Sequence, residues 1–342
     1  MSAVYGERWQ IIRPLVEGGQ AHTFLAVDLK ASGESQYVLK RLKNLGRIDR
    51  FETEVEAVRN LAHPNIVRLL DFDLTADKPY LVTEYCAGGA LSAASPFWQD
   101  NPSAAFALFL DVCEAVKHAH SQGVVHRDIK PDNVFLRSGT GPAVLGDFGI
   151  CYMESGTRVT LTEEAVGPRL FIAPELEDGR ADKVTAKADT YSLGKLLYWL
   201  LSGGEVFSRE KHRESRWDLK RKAENSLLGW GNIYMEHANR LLDLMITADP
   251  EDRRGVENIT ILARRAENLI RKEFNPISRS IPQPCLYCGQ GTYRLRVDNS
   301  TNVHNFGFQA IGDADWRIFT CNACGHVQAF RIEKVERHEW WE

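Results

Sequence analysis

Three short segments carry polar side chains at spacings that could support chemistry on phosphates. Residues His126 to Asn133 read His-Arg-Asp-Ile-Lys-Pro-Asp-Asn, and Asp147-Phe148-Gly149 begins nineteen positions after Asp128. Ala173-Pro174-Glu175 follows later in the chain. Carboxylate and amide oxygens are hard donors of the kind that Mg²⁺ prefers. A lone Asp or Asn is more often part of a turn or a helix cap, so the indication comes from several segments in one order.

In this order and spacing, the segments resemble the eukaryotic-type (Hanks-type) Ser/Thr protein kinase family. The resemblance covers about Trp9 to Lys272. It implies an α+β, bilobal fold with a β-rich N-lobe and an α-helical C-lobe. It also implies an enzyme that uses ATP and Mg²⁺ to phosphorylate Ser or Thr hydroxyls of protein substrates, itself included. The sequence does not identify the substrate.

The resemblance assigns roles to four polar residues of these segments. Asp128 orients the substrate hydroxyl and accepts its proton, and Lys130 contacts the phosphate that is transferred. Asn133 and Asp147 supply oxygen ligands for Mg²⁺, which bridges the nucleotide phosphates. Because phosphoryl transfer passes through a loose transition state, the protein mainly positions groups and neutralises charge.

Upstream, Lys40 ends a predicted strand in the way that the family's ATP-contacting lysine does. Its partner should be a glutamate on the following helix, where Glu52, Glu54 and Glu56 all lie. Phe51, three residues before Glu54, matches the family's Phe-x-x-Glu pattern and selects Glu54. The other two glutamates are then expected to be solvated charges of the helix.

Residues 16–23, Val-Glu-Gly-Gly-Gln-Ala-His-Thr, match the family's nucleotide loop only in part. Gly18 and Gly19 retain the close backbone approach that phosphates require, although a lone Gly-Gly is more often a simple turn. The placement of Gly19, 21 residues before Lys40, supports the nucleotide-loop interpretation. Val16 and Ala21 stand where the family has glycine. Val16, Gly18 and Gly19 are therefore predicted to line the ATP site.

The segment Thr83-Glu84-Tyr85-Cys86 aligns with the family's hinge. The resemblance makes Thr83 the gatekeeper. Glu84 and Cys86 would offer backbone groups to the adenine ring of ATP. No role follows for the Cys86 thiol, which could be an ordinary buried cysteine.

Three residues of the second lobe are implied to be architectural. Asp189 is expected to brace the backbone of the catalytic segment, and Arg253 is expected to pair with Glu175. Pro168 departs from the family, because it stands where a threonine bridges the catalytic Asp and Lys. Proline has neither a hydroxyl nor an N–H, so that bridge is missing unless another group replaces it.

These departures keep a pseudokinase open as the alternative, either an ATP-binding or a purely scaffolding module. The retained catalytic residues favour turnover, whereas Val16, Ala21 and Pro168 favour the pseudokinase. A small-molecule phosphotransferase is a third interpretation. It is disfavoured because Ala-Pro-Glu and Arg253 are typical of the protein kinase helical lobe.

Phosphorylation could also regulate the chain. Arg127 directly precedes the catalytic carboxylate, and in the family such an arginine receives a phosphate from the activation segment. Thr160 and Thr162 are the first-choice acceptors. Glu163 and Glu164 could instead replace the phosphate permanently.

Four cysteines near the C-terminus form two Cys-x-x-Cys-Gly turns that are separated by 32 residues: Cys285, Cys288, Cys321 and Cys324. In a reducing compartment this pattern indicates a metal rather than disulfides, and four thiolates give a tetrahedral Zn²⁺ site. A redox role for a single pair is the weaker alternative, because a second pair is present. The pattern looks like a small zinc ribbon with four cysteine ligands.

The charges of the predicted ribbon are nearly balanced. From Cys285 onward six Arg or Lys residues face seven Asp or Glu residues. Nucleic-acid binding usually requires a basic face and is therefore unlikely. A protein-docking or folding-support role fits the ribbon better.

The elements that must position these residues change character along the chain. Strands are predicted at Thr23–Val27, Tyr37–Lys40, Ile66–Phe72 and Tyr80–Glu84, and in the ribbon at Thr292–Val297, Trp316–Phe319 and Val327–Ile332. Helical periodicity predicts helices at Arg50–Ala62, Ala104–His120, Ala188–Leu201, Met235–Ile246 and Val256–Lys272. A proline-rich stretch at 275–284 reads as a semi-extended linker. The predicted domains are a kinase domain at 9–272, a linker at 273–284 and a zinc ribbon at 285–342.

The composition is that of an ordinary globular protein. Among the 342 residues, 42 Lys or Arg face 46 Asp or Glu, giving a formal net charge of −4. This balance excludes a global polycation that coats nucleic acid. No apolar run approaches the roughly 18 residues of a membrane helix, and no secretion signal is evident. The sequence therefore predicts a cytoplasmic protein with no membrane partner.

Overall fold

A computed structural model describes residues 3–15, 21–33, 35–93, 101–148, 152–153, 170–177, 185–206, 235–274, 280–284, 288, 292–297, 315–324 and 327–332. The chain divides into two compact units. The first comprises Met1–Asp218 and Leu242–Thr260, and the second comprises Leu219–Leu241 and Ile261–Glu342. None of the helices in the described ranges is long and apolar enough to span a bilayer.

The first unit begins with a six-stranded antiparallel sheet. Its strands are β1 (Val4–Tyr5), β2 (Trp9–Pro14), β3 (Ala21–Asp28), β4 (Gln36–Leu42), β5 (Leu69–Asp73) and β6 (Tyr80–Glu84). Their order across the sheet is β1-β2-β3-β4-β6-β5. Lys40 lies opposite Thr23 on one neighbouring strand and Leu81 on the other. This register places Lys40 on a central strand, where the backbone is fixed from both sides.

The two faces of this sheet carry separate apolar clusters. One contains Trp9, Ala26, Leu39, Tyr80 and Val82, and the other contains Leu42, Phe51, Val55 and Leu81. Side chains alternate along a strand and directly paired residues share a face. Lys40 therefore shares its face with Leu42 and Leu81, the face that the first helix covers.

The helix that covers this face is α1 (Ile48–Arg59), and the burial of its residues shows which of them face the sheet. Phe51, Val55 and Glu54 are buried, whereas Glu52 and Glu56 are exposed. Residues three and four apart share a helix face, so Glu54 is carried inward with the apolar residues. Of the three glutamates on this helix, Glu54 alone is buried against the sheet.

Helices dominate the chain after the sheet. Within the described residues they are α2 (Pro102–Ser121), α3 (Pro174–Glu177), α4 (Lys187–Leu201), α5 (Met235–Met245) and α6 (Val256–Phe274). The start of α2 is two residues earlier than predicted, because the Asn101 side chain accepts the Ala104 N–H at 3.1 Å and Pro102 suits the first helical position. The change from strands to helices confirms the α+β arrangement and fits the expected bilobal domain.

Short strands connect the helices around the catalytic segment. They are β7 (Gly89–Ala90), β8 (Val124–Val125), β9 (Val134–Leu136), β10 (Ala143–Leu145) and β11 (Tyr152–Met153). Strands β7, β9 and β10 form one small sheet, and β8 pairs with β11. The sequence analysis did not predict these strands, because runs of two or three residues show no periodicity.

The strand predicted at Ile66–Phe72 begins later than expected, at Leu69. Ile66 forms a parallel bridge with Leu145, and the Val67 N–H donates to the Leu145 carbonyl at 2.9 Å. The start of the apolar run therefore pairs with β10 instead of β6. This pairing joins the strand-rich lobe to the helical lobe.

A four-stranded antiparallel sheet lies in the second unit. Its strands are β12 (Ser280–Pro284), β13 (Thr292–Val297), β14 (Asp315–Cys321) and β15 (Val327–Ile332), in that order across the sheet. The strands predicted at Thr292–Val297 and Val327–Ile332 are confirmed, and the middle one is longer than predicted. Within the stretch expected to be a semi-extended linker, Ser280–Pro284 pairs with β13. This segment is an edge strand, where proline is tolerated because one side of the backbone needs no partner.

Candidate active site

Lys40 joins three elements through its amino group. Its Nζ donates to Glu54 Oε1 on α1 at 2.9 Å and to Asp147 Oδ1, two residues after β10, at 3.4 Å. Burial alone would lower the pKa of Lys40, but the charges of Asp147 and Glu54 outweigh burial and raise it. The amino group is therefore held as a cation at the point where α1 meets the Asp147 segment.

Asp147 is the more accessible carboxylate of this cluster, with 46% of its side chain exposed against 11% for Glu54. The charge of Lys40 lowers the pKa of Asp147 below its ordinary value. Asp147 is thus an anionic oxygen donor that faces solvent. Such a group can take a hard cation.

The catalytic segment gathers three further polar side chains around Asp128. Lys130 Nζ donates to Asp128 Oδ2 at 2.7 Å. Asn133 Nδ2 donates to Asp128 Oδ2 at 2.9 Å and to the Asp128 carbonyl at 2.7 Å. These bonds use the donor end of the Asn133 amide, so its Oδ1 oxygen is the atom with capacity for a metal.

The hairpin of β9 and β10 brings Asn133 and Asp147 together. Val134 lies opposite Leu145 in the ladder. The next pair outward is Asn133 and Gly146, whose N–H donates to the Asn133 carbonyl at 2.9 Å. Residues fourteen apart in sequence thus emerge side by side from one hairpin end. The register therefore sets the spacing of the two predicted Mg²⁺ ligands.

A buried carboxylate fixes the backbone before Asp128. Asp189 on α4 is 0% exposed and accepts the His126 N–H at 2.8 Å and the Arg127 N–H at 2.7 Å. His120 Nε2 on α2 donates to the same carboxylate at 2.7 Å. Burial would raise the pKa of Asp189, but the hydrogen bond from His120 and the neighbouring histidines lower it. The hydrogen bonds from the His126 and Arg127 N–H groups are the physical basis of the bracing role predicted for Asp189.

His126 connects the catalytic segment to the Asp147 segment. Its Nδ1 accepts the Asp128 N–H at 3.2 Å, and its Nε2 lies 3.0 Å from the Gly146 carbonyl. Since a carbonyl only accepts, His126 Nε2 is the donor in this hydrogen bond. The ring also packs on Phe148 at a centroid distance of 4.5 Å. One imidazole therefore contacts the Asp128 backbone and both chain neighbours of Asp147.

Two site residues adopt a left-handed backbone conformation. Arg127 has φ +71° and Asp147 has φ +62°. Non-glycine residues seldom occupy this region, and such residues cluster at functional sites. The turn at Arg127 directly precedes the Asp128 carboxylate, and the turn at Asp147 occurs at the carboxylate residue itself.

The predicted hinge consists of the last two residues of β6 and the two residues that follow it. Thr83 and Cys86 are buried, and burial together with the charge of Glu84 raises the pKa of the Cys86 thiol to about 11. This thiol is not a nucleophile at neutral pH. The Glu84 carboxylate accepts from Arg137 Nη1 at 2.5 Å, a contact that the sequence analysis missed. No sequence spacing relates these two residues, because the pair depends on how β9 lies against the hinge.

The predicted pair of Glu175 and Arg253 is present. Arg253 is 1% exposed and donates to the two Glu175 oxygens at 2.6 and 2.8 Å. Its Nε donates to the Thr247 carbonyl at 2.9 Å, and its guanidinium lies 5.1 Å from the Tyr191 ring centroid. A buried charge needs partners of this kind, so the contact anchors α3 to the segment after α5.

Three cysteine sulfurs converge in the second unit. The Sγ atoms of Cys288, Cys321 and Cys324 lie within 4.8 Å of one another, and those of Cys288 and Cys321 are 3.8 Å apart. The Ala323 N–H points to Cys321 Sγ at 3.4 Å. Such N–H groups stabilise thiolate charge. This arrangement could hold a metal.

Several predicted residues lie outside the described ranges. They are Val16, Gly18 and Gly19 of the nucleotide loop, Gly149, the activation-segment residues Thr160, Thr162 and Pro168, and Cys285 of the cysteine set. The structure thus brings together Lys40, Glu54, Asp128, Asn133 and Asp147. It also adds His120 and Arg137, which sequence reasoning missed because their partners are distant in the chain.

Comparison with known proteins gives one family match and many relatives. Residues 9–262, more than half of the chain, match the family described as Protein kinase domain. Serine/threonine-protein kinase Pkn1 of Myxococcus xanthus is 41% identical over 170 residues, which cover 48% of this chain and 24% of that protein. Serine/threonine-protein kinase PrkC of Bacillus subtilis (strain 168) is 34% identical over 210 residues, which cover 59% of this chain and 32% of that protein.

A relative with a comparable level of sequence identity occurs in an animal. Ovarian-specific serine/threonine-protein kinase Lok of Drosophila melanogaster is 31% identical over 223 residues, which cover 63% of this chain and 46% of that protein. The chain therefore spans less than half of the length of each of these three relatives.

Proposed function

The chain belongs to the protein kinase family, and from this premise we propose that it transfers the γ-phosphate of ATP to Ser or Thr hydroxyls of protein substrates. The observation that carries the proposal is the Lys40 amino group within 2.9 Å of Glu54 and 3.4 Å of Asp147. This contact completes the lysine–glutamate pair and the metal-binding carboxylate that the reaction requires. The printed names of the relatives support Ser and Thr as acceptors.

In this proposal Lys40 contacts the ATP phosphates, and Glu54 orients it. The pair places the Lys40 cation where the phosphates are expected to bind. Asn133 Oδ1 and the Asp147 carboxylate would hold Mg²⁺. When bound, the ion neutralises phosphate charge. Gly18 and Gly19 would cover the phosphates, and Glu84 and Cys86 would contact adenine through their backbones.

Asp128 is the proposed acceptor of the substrate hydroxyl proton. Its Oδ2 receives Lys130 and Asn133, so the carboxylate is held in one orientation. Lys130, at 35% side-chain exposure, can turn its amino group toward the transferred phosphate. Positioning and charge then supply most of the catalysis.

The test separates the two carboxylates. Asp128→Asn should keep the Kd for Mg·ATP while phosphate transfer to casein and to the protein itself falls by about 10²–10⁴-fold. Asp147→Asn should weaken ATP binding in Mg²⁺ but not in its absence. Asp132→Asn is the matched control, because this exposed carboxylate lies in the same segment.

The outcomes also decide between the kinase and the pseudokinase. If wild-type protein binds Mg·ATP but transfers no phosphate, the pseudokinase interpretation replaces the one proposed here. Pro168, Val16 and Ala21 would then account for the loss. If Asp128→Asn transfers phosphate as fast as wild type, the role proposed for this residue is wrong.

We propose further that Cys285, Cys288, Cys321 and Cys324 hold one Zn²⁺ as a zinc ribbon. The 3.8 Å distance between the Cys288 and Cys321 sulfurs supports it, because Zn–S bonds of about 2.3 Å in a tetrahedron separate sulfurs by nearly that amount. The N–H of Ala323 directed at Cys321 Sγ is consistent with a thiolate. Protein purified without chelator should contain about one zinc per chain.

The zinc site and its surroundings are proposed as a protein-docking module. The near balance of acidic and basic residues from Cys285 onward supports a protein partner over nucleic acid. Strand β12 precedes residue 285 but pairs with β13 of this module. We therefore move the start of the proposed module from residue 285 to Ser280. Pull-down with the full chain and with Cys321→Ser tests whether any capture depends on the metal site.

A further inference from the structure

Arg137 is a polar residue of the first unit that neither the catalytic segment nor the metal ligands account for. It directly follows β9. Its guanidinium donates to both Glu84 oxygens, from Nη1 at 2.5 Å and from Nη2 at 3.3 Å. Nη2 also donates to the Pro64 carbonyl at 2.7 Å. One side chain thus bonds the last residue of β6 and the connection between α1 and β5.

Glu84 has a second set of partners on that connection. Its Oε1 accepts the Arg68 N–H at 2.9 Å, and its own N–H donates to the Arg68 carbonyl at 3.1 Å. The Glu84 carboxylate is therefore held by a guanidinium from one lobe and a backbone N–H from the other. The hydrogen bond with Glu84 and the charge of this carboxylate raise the pKa of Arg137.

The backbone after Glu84 also lies directly on β9. The Gly88 N–H donates to the Leu136 carbonyl at 2.9 Å. A Cβ at Gly88 would stand 2.6 Å from Leu136 Cβ and 2.7 Å from the Leu136 carbonyl oxygen, so no side chain fits there. Glu84 and Gly88 are thus fixed to Arg137 and Leu136, which are neighbours in the chain. The segment between them contains Cys86.

We propose that Arg137 is a positioning residue for adenine binding, which holds the hinge segment 84–88 in its binding conformation through the Glu84 carboxylate. This inference rests on the proposed function only in naming adenine as the group that the hinge contacts. A guanidinium suits the task because its planar fork binds a carboxylate and a carbonyl together, whereas an ammonium is a single point charge. A hinge that is ordered before ATP arrives reduces the entropy lost on binding.

The first measurement is the Kd for Mg·ATP, together with the kinetic split between KM for ATP and kcat. Arg137→Ala should raise the Kd and the KM for ATP by about two- to fivefold, the range that a partly exposed ion pair supports. The kcat at saturating ATP should be unchanged, because Arg137 is not among the residues around Asp128. Arg137→Lys should restore part of the lost affinity for ATP.

Two further variants sharpen the comparison. Glu84→Gln combined with Arg137→Ala should bind ATP no more weakly than the worse single variant, since both remove one interaction. Arg59→Ala is the matched control, because this arginine is exposed at the end of α1. It should leave the Kd at the wild-type value.

Hydrogen exchange in the nucleotide-free protein gives a readout that does not depend on ATP. Arg137→Ala should speed exchange in peptides covering 64–68 and 80–88, while α4 stays as protected as in wild type. If wild type binds no ATP, the proposed function fails, and exchange alone judges the positioning role. Unchanged exchange at 80–88, or faster exchange throughout α4 as well, overturns the proposal. So does a Kd equal to that of Arg59→Ala.

Discussion

Glu52 and Glu54 carry the same carboxylate two positions apart on α1, yet only Glu54 reaches Lys40. The helix turns Glu54 toward the sheet, where it is 8% exposed, and turns Glu52 to solvent. The side-chain type supplies the chemistry, and the position on the helix decides which copy performs it. Replacing Glu52 and Glu54 in turn therefore separates the effect of the carboxylate from the effect of its position on the helix.

Glu54→Gln should lower kcat/KM by about 100-fold, because a displaced Lys40 amino group no longer meets the phosphates. The free energy of unfolding should fall by about 1–3 kcal/mol, because the largely buried Lys40 amino group loses one of its two anionic partners. Glu52→Gln, on the same helix, should alter neither quantity. Steady-state kinetics and urea denaturation provide the comparison. Equal kinetics for the two variants would contradict the pairing role of Glu54.

His120 permits a test through pH. The folded-state pKa of Asp189 is below its ordinary value of 3.8, so its carboxylate stabilises the fold above that pH. The contribution is lost as the pH falls through the folded-state pKa. His120→Ala removes a hydrogen bond that lowers this pKa, so acid unfolding should begin at a higher pH.

At neutral pH the same variant should lose about 1–3 kcal/mol, since a buried acceptor loses a partner. Circular dichroism measures the first effect during acid titration and the second during urea denaturation at neutral pH, and His22→Ala on β3 is the control. An acid midpoint identical to that of wild type would show that His120 does not set the pKa of Asp189.

At the scale of elements, the sequence predicted most of those that are long enough to show a period, although the six-residue strand β2 was not among them. The helices α1, α2, α4, α5 and α6 and the strands β3, β4 and β6 lie within a few residues of their predicted bounds. Strands of two or three residues leave no such pattern, and β7 to β11 were missed. The site itself divides in the same way. Motif residues were predicted, whereas His120 and Arg137 depend on strand register and helix packing, which sequence spacing does not encode.

Gly194 shows how closely one helix packs. A Cβ there would stand 2.6 Å from Ile246 Cγ1 and 2.9 Å from Met245 Cβ, so α4 lies directly on the segment after α5. Gly194→Ala should destabilise the protein by about 1–3 kcal/mol through overpacking, although alanine is the better helix former.

Gly255→Ala is the matched control, because no atom of the described residues lies within 4 Å of the added methyl group. Thermal unfolding of the two variants should therefore differ, with a lower Tm for Gly194→Ala alone. A higher Tm for Gly194→Ala would mean that helix propensity outweighs the close packing.

At the scale of the whole molecule, the residues proposed for catalysis and those proposed for zinc belong to different units. Lys40, Glu54, Asp128, Asn133 and Asp147 all lie in the first unit, and the cysteines lie in the second. Metal binding supplies folding free energy only to the unit that contains the ligands. Loss of zinc should therefore unfold the sheet of β12 to β15 without disabling the first unit.

A zinc-selective chelator, followed by restoration of Mg²⁺, should increase hydrogen exchange in β13, β14 and β15. The Kd for Mg·ATP should remain at its initial value. Cys321→Ser should reproduce the effect without chelator, whereas Cys113→Ser, in α2, should retain the zinc. Weakened ATP binding after zinc removal would show that the two units are energetically coupled.

The left-handed conformation of Asp147 has a consequence for how this sequence can evolve. Glycine adopts φ +62° without strain, and this relief offsets the loss of the contact with Lys40, so Asp147→Gly should fold about as stably as wild type. The same change removes a proposed metal ligand. A library selected only for heat resistance would therefore accept glycine at this position and lose phosphate transfer. Selection for transfer would keep the strained aspartate, so the residue found at position 147 records which of the two pressures acted on a lineage.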